Sequence, residues 1–70
     1  MFESDYRVVF TDLQGNNVAS WVQARNDHTA VAMATMFAVS GQWDTERGAD
    51  IRAMLTSGNL ANVYAVLETN

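Results

Sequence analysis

His28 is the single imidazole in the chain, so any histidine-dependent catalysis or metal binding would run through it. Asp27 and Thr29 flank it, and Ser20, Ser40 and Ser57 are the hydroxyl nucleophiles at hand. An activated serine needs a base within hydrogen-bond reach and a third group that orients the base. No spacing here resembles that arrangement or a nucleophile elbow. A histidine in the first turn of a helix is accounted for by solvation or capping. No residue is therefore assigned a catalytic role, and the chain reads as a non-enzyme.

The acidic residues offer little more. Glu46 and Asp50 stand four apart on one helix face, with Asp44 nearby, but hard cations want six or more oxygens at close range and nothing resembles a calcium loop. A solvated helix face shared with Arg47 and Arg52 explains the same residues. Gly15 lies in Gln14-Gly15-Asn16-Asn17, which is hairpin chemistry, and Gly41 follows Ser40 at a helix end. Neither the dinucleotide fingerprint nor the phosphate-binding loop pattern occurs, so no cofactor and no metal are expected.

Trp21 is the more informative side chain. With Val9 and Ala19 beside it and Arg7 and Arg25 near, it would form an aromatic and basic patch on an open sheet face. Bases stack on such aromatics in single-strand nucleic-acid platforms, while Trp and Arg are also the residues most enriched at protein–protein hot spots. Met33, Met36 and Met54 could supply an adaptable apolar surface, although methionine at helical spacing is more often core. Met36 and Val39 stand apart because they lie opposite the helix face that should meet a sheet, and uncovered apolar patches mark interaction sites.

These side chains sit on a small chain. Seventy residues make one domain, spanning 1–70, or part of an obligate assembly. A domain of this size buries only about 60% of its unfolded surface, and its core supplies about 3–5 kcal/mol unless something staples it. Cysteine is absent, which removes disulfides and thiolate metal sites. Oligomerisation is the device left, and a homodimer is expected. Four arginines, no lysine and eight carboxylates give a net charge of −4, which argues against non-specific binding to DNA or to an anionic membrane surface. Met1-Phe2-Glu3-Ser4-Asp5 lacks the basic region and apolar core of a signal peptide. The longest near-continuous apolar run, Ala30 to Val39, would reach about 15 Å as a helix, half of what a bilayer needs. A cytoplasmic protein without a membrane span is the expectation.

Tyr6 to Thr11 and Val18 to Ala24 are rich in β-branched and aromatic residues and read as strands. Between them, Asp12-Leu13-Gln14-Gly15-Asn16 suits a type I turn closed by a G1 bulge. That turn pairs Asp12 with Asn16, Phe10 with Val18, Val8 with Ser20 and Tyr6 with Val22. One face then holds Tyr6, Val8, Phe10, Val18 and Val22 as core, and the other holds Arg7, Val9, Thr11, Ala19, Trp21 and Gln23. A two-residue turn at Gly15-Asn16 would swap the faces of the second strand and send Trp21 into the core. The bulged turn gathers more apolar residues on one side and is preferred.

Asp27 to Val39 reads as a helix capped by Asn26 or Asp27 and ended by Ser40-Gly41. Met33, Phe37, Ala30, Ala34, Ala38 and Val31 share one face. The opposite face, with Ala32, Thr35, Met36, Val39 and Ser40, is hardly polar, and a helix apolar all round should be buried on more than one side. A shorter helix from about Thr45 to Thr56, capped by Asp44 or Thr45, turns Ile51, Met54 and Leu55 to one side. Gly48 weakens it by roughly 1 kcal/mol relative to Ala, and Gly58 stops it. Leu60 to Glu68 fits either a helix capped by Asn59 or a third strand. An isolated hairpin is marginal, which favours the strand and an α+β fold of order ββααβ, a small antiparallel sheet with helices on one face.

The functional expectation is a small protein-binding module that acts as an inhibitor or adaptor of a larger protein partner. Phage- and mobile-element-encoded inhibitors of host defence are one setting for chains of this kind. The partner-binding candidates are Trp21, Arg7 and Val9 on the sheet and Met36 and Val39 on the helix. The alternative is a protein that binds nucleic acid through the sheet face or mimics nucleic acid with its carboxylates, and eight scattered carboxylates are a thin supply for mimicry.

Overall fold

The computed structural model describes residues 2–41 and 46–68. Strands β1 (Ser4–Asp12) and β2 (Asn17–Ala24) form a hairpin, helices α1 (Asp27–Ser40) and α2 (Glu46–Ser57) follow, and β3 (Leu60–Leu67) closes the sequence of elements. The three strands make one antiparallel sheet in the order β2-β1-β3. This is the ββααβ arrangement. The C-terminal segment is a strand, so the helical alternative is set aside. A cap at Asp44 or Thr45 lies outside the described residues.

The hairpin turn decides the rest of the sheet. Gly15 N–H donates to Asp12 O at 3.1 Å, Asp12 N–H donates to Asn16 O at 3.0 Å, and Gly15 has φ 87°. A left-handed residue at that position is what a G1 bulge requires, and glycine adopts it without a Cβ clash. Asp12 braces the loop, its carboxylate accepting from Gln14 N–H (2.9 Å), Asn16 N–H (2.8 Å) and Asn16 Nδ2 (3.1 Å). The resulting register pairs Phe10 with Val18, Val8 with Ser20, Arg7 with Trp21 and Tyr6 with Val22. The competing two-residue turn is excluded.

The backbone N–H of Asn16, with its side-chain amide and the N–H groups of Gln14 and Gly15, holds the Asp12 carboxyl below its ordinary value of 3.8, against the opposing effect of burial. A carboxyl depressed in the folded state stabilises the fold above its unfolded pKa, and that contribution disappears as pH falls through the folded value. Asp12→Asn should therefore melt lower than wild type near neutrality, with the gap closing as the pH falls from neutrality through the ordinary carboxyl value of 3.8 and below it. Thermal melts followed by circular dichroism across that range check this, and parallel curves would refute it.

Asn26 caps α1, its side chain accepting from Thr29 N–H at 2.8 Å, and Gly41 ends it in the left-handed region with φ 78°. At the end of α2, Gly58 is left-handed and Asn59 N–H donates back to Met54 O at 3.1 Å, the long bond of a Schellman motif. Arg52 Nη1 donates to Ala38 O at 3.2 Å, tying α2 to the carbonyl end of α1, where a cation is favoured.

The core lies between one sheet face and the two helices. Val8, Phe10, Val22 and Ala24 meet Ala30, Ala34 and Ala38 of α1 and Ile51 and Met54 of α2. The helix buries three of its four alanines completely, leaving Ala32 on the outer side, while Val31, Met33 and Phe37 flank the buried row half-buried. Small residues at four-residue spacing let the helix axis come close to the sheet. Tyr6 and Val18, expected in the core, are half-buried at its margin, and Leu55 shares that position.

Candidate functional site

Side chains alternate across a strand, so the sheet face turned away from the helices carries Arg7, Val9 and Thr11 of β1, Ala19 and Trp21 of β2, and Tyr64 and Val66 of β3. The pairing places Trp21 and Val66 on either side of Arg7, and Ala19 and Tyr64 on either side of Val9. Trp21 is 50% exposed and Tyr64 is 43% exposed. The two aromatics stand on opposite flanks of the central strand.

Trp21 is exposed and yet held. Its Nε1 donates to Glu68 Oε1 at 3.2 Å, and Arg7 Nε lies 3.3 Å from the same oxygen, an ion pair without hydrogen-bond geometry. Arg47 reaches from α2 round the edge of β2, its guanidinium carbon 5.5 Å from the centre of the indole ring. Arg47 Nη1 also donates to Ala19 O at 3.5 Å. An exposed pair such as Arg7–Glu68 contributes little to stability, about 0–1 kcal/mol. Its effect here is to fix a carboxylate where the indole N–H can find it.

Comparison with protein-family models, with curated proteins and with solved structures finds no match. The site must speak through its own geometry.

Five residues were singled out from sequence, and the fold divides them. Arg7 and Trp21 stand side by side on the open sheet face. Val9 lies on the same face but is only 5% exposed, so it supports its neighbours and does not itself offer contact area. Met36 and Val39 are 57% and 63% exposed on the outer side of α1, with the helix and the core between them and Trp21. Among the described residues nothing covers them, α2 included. The two groups therefore belong to two separate surfaces of the molecule.

Tyr64, Glu68 and Arg47 belong to the sheet-face cluster and escaped sequence reasoning. Tyr64 had a usable signal, because once Leu60–Leu67 is a strand it must alternate with Val63 and Ala65. Arg47 comes from a helix whose approach to the sheet no local pattern announces. Arg25 lies beyond the end of β2 and is exposed.

The remaining polar candidates are dispersed. The His28 side chain is 98% exposed, with Nε2 4.0 Å from Asp27 Oδ1. Ser20 is buried on the core face, and Ser40 Oγ donates to Phe37 O at 3.2 Å. Glu46 and Asp50 are exposed. Among the described residues no three histidines or carboxylates gather where they could hold a metal ion, and no helix is long and apolar enough to cross a membrane.

Proposed function

We propose that this chain is a non-enzymatic, cytoplasmic protein-binding module that forms a homodimer and acts as an inhibitor or adaptor by occupying a surface of a larger protein. Phage- and mobile-element-encoded inhibitors of host defence are one setting for a chain of this kind. The observation that carries the reading is the half-exposed Trp21, braced by Glu68 and Arg47 on a face that also bears Tyr64. Hot spots are enriched in Trp, Tyr and Arg, and a side chain ordered before binding loses less entropy in the complex. The dimer draws support from the small size of the chain and from the apolar surface left on more than one side.

Direct nucleic-acid binding through the same face is the weaker reading. The cation nearest Trp21 on β1, Arg7, is paired with Glu68, and the net charge of −4 opposes a polyanion.

Trp21→Ala tests the proposal. Its fold should persist, since the side chain lies outside the core, and affinity for a protein captured from host lysate should fall by about 2 kcal/mol or more, some thirtyfold. Circular dichroism checks the fold and calorimetry the affinity. Unchanged affinity in a folded variant would sink this surface as the contact. Loss of a steeply salt-dependent complex with single-stranded DNA or RNA would favour the nucleic-acid reading.

A further inference from the structure

The order β2-β1-β3 leaves two sheet edges, and they differ. At the β2 edge Arg47 donates to Ala19 O and lies over Trp21, so a charged side chain guards the backbone. The direction of the groups on β3 follows from one bond. Glu68 N–H donates to Asp5 O at 2.9 Å, which makes Asp5 and Glu68 a pair joined by backbone hydrogen bonds. Such pairs alternate along antiparallel strands, so Arg7–Val66 and Val9–Tyr64 are joined in the same way. Val63, Ala65 and Leu67 therefore turn their N–H and C=O groups away from β1. Among the described residues, no hydrogen bond outside the sheet reaches any of the three.

An open edge is usually blunted by charge, proline, a bulge or a covering element. Leu60–Leu67 contains no charged residue, no proline and no glycine, and its one register irregularity falls at the Thr11/Asp12 end. We infer that β3 is the dimer interface, pairing antiparallel with β3 of a second copy to make one six-stranded sheet. The inference rests on the homodimer proposed above and names the surface that forms it.

A second copy fits because the edge is complementary to itself. With Ala65 on the two-fold axis, Val63 meets Leu67 of the partner subunit and Leu67 meets Val63 of the partner subunit. All three outward residues are then matched among themselves. On the open face the same register sets Tyr64 opposite Val66 of the partner subunit, an aromatic and β-branched cross-strand pair. Leu67, 48% exposed, and Tyr64, 43% exposed, both gain cover. No charged group of Leu60–Leu67 loses water on pairing. Met36 and Val39 stay outside the interface and remain free for a foreign partner.

Sedimentation velocity over a dilution series of the full chain tests this, with two variants. Proline is tolerated at an edge position whose N–H faces outward, so Ala65→Pro should keep the bonds to β1 and the wild-type circular dichroism. Leu67→Lys places a charge in the interface on a side chain that is already half-exposed. Wild type should sediment as a dimer, and each folded variant should dissociate at roughly tenfold or higher protein concentration. If Ala65→Pro fails to fold, Leu67→Lys decides. A dimeric wild type whose folded variants stay equally dimeric overturns the β3 interface and leaves the homodimer standing on another surface. A wild type that is monomeric at the highest attainable concentration overturns both.

Discussion

Phe10→Ala is expected to leave a large part of the population unfolded at 25 °C. Phe10 is 0% exposed, the largest of the fully buried side chains, and sits on the central strand. It therefore has packing neighbours from both flanking strands and from the helices above. Truncating a buried phenylalanine costs about 3–5 kcal/mol, through lost transfer free energy and the cavity left behind. A core of this size supplies about the same amount, so the folded and unfolded states should come close to balance. Urea titration followed by far-UV circular dichroism gives the free energy. Phe2→Ala is the matched control, because Phe2 is 94% exposed and its loss should stay within about 0.5 kcal/mol. A Phe10→Ala loss below about 1.5 kcal/mol would mean that the site collapses around the missing ring.

Ala34→Leu is expected to destabilise by adding atoms where Phe10→Ala removes them. Ala34 is the middle member of the buried stripe Ala30, Ala34 and Ala38 and is 0% exposed. A leucine there must push α1 away from the sheet or force its neighbours off their rotamers, which costs about 1–3 kcal/mol. Since Ala30, Ala34 and Ala38 form the fully buried row of the helix, the displacement would also loosen Ala30 and Ala38 and the flanking Val31, Met33 and Phe37. Ala32→Leu, on the exposed outer face, should change stability by less than about 0.5 kcal/mol. Urea midpoints for the two leucine variants make the comparison, and equal midpoints would show that the Ala stripe does not set the helix-to-sheet distance.

The two variants also mark where the sequence was readable. The hairpin register was legible because Asp12 and Gly15 occupy positions that a bulged type I turn requires. With that turn set, every side chain of β1 and β2 is committed to a face. The inward face of α1 was legible only as a sector. Its apolar residues run all round the helix, and burial fell on the alanines because the small residues permit the closest approach. The segment Leu60–Leu67 was ambiguous, since Leu60, Val63, Tyr64 and Leu67 satisfy a helical spacing as well as a strand. What decides it is the second edge of β1, a demand that arises only in three dimensions.

The candidate site divides along the same line. The exposure of Trp21, Met36 and Val39 follows from register and helix phase alone. The burial of Val9 does not, because its cover comes partly from Tyr64, on a strand more than fifty residues along the chain. The bond from Trp21 to Glu68 spans 47 residues. Contacts of that separation leave no trace in local pattern.

The strand order carries a consequence for how the molecule comes into being. The central strand is the first to be made, yet one of its two neighbours is the last. The β1–β2 pair closes through the four residues 13–16, whereas β1 meets β3 only after both helices have been traversed. Contacts of long sequence separation form slowly, because the loop must be closed before the contact is gained. During synthesis the hairpin can form and α1 can lie down on it while one side of β1 is still bare. That bare side belongs to the most deeply buried strand in the sheet, and its protection waits for the final segment of the fold to arrive. Until then the nascent chain exposes the kind of surface that invites aggregation or a chaperone.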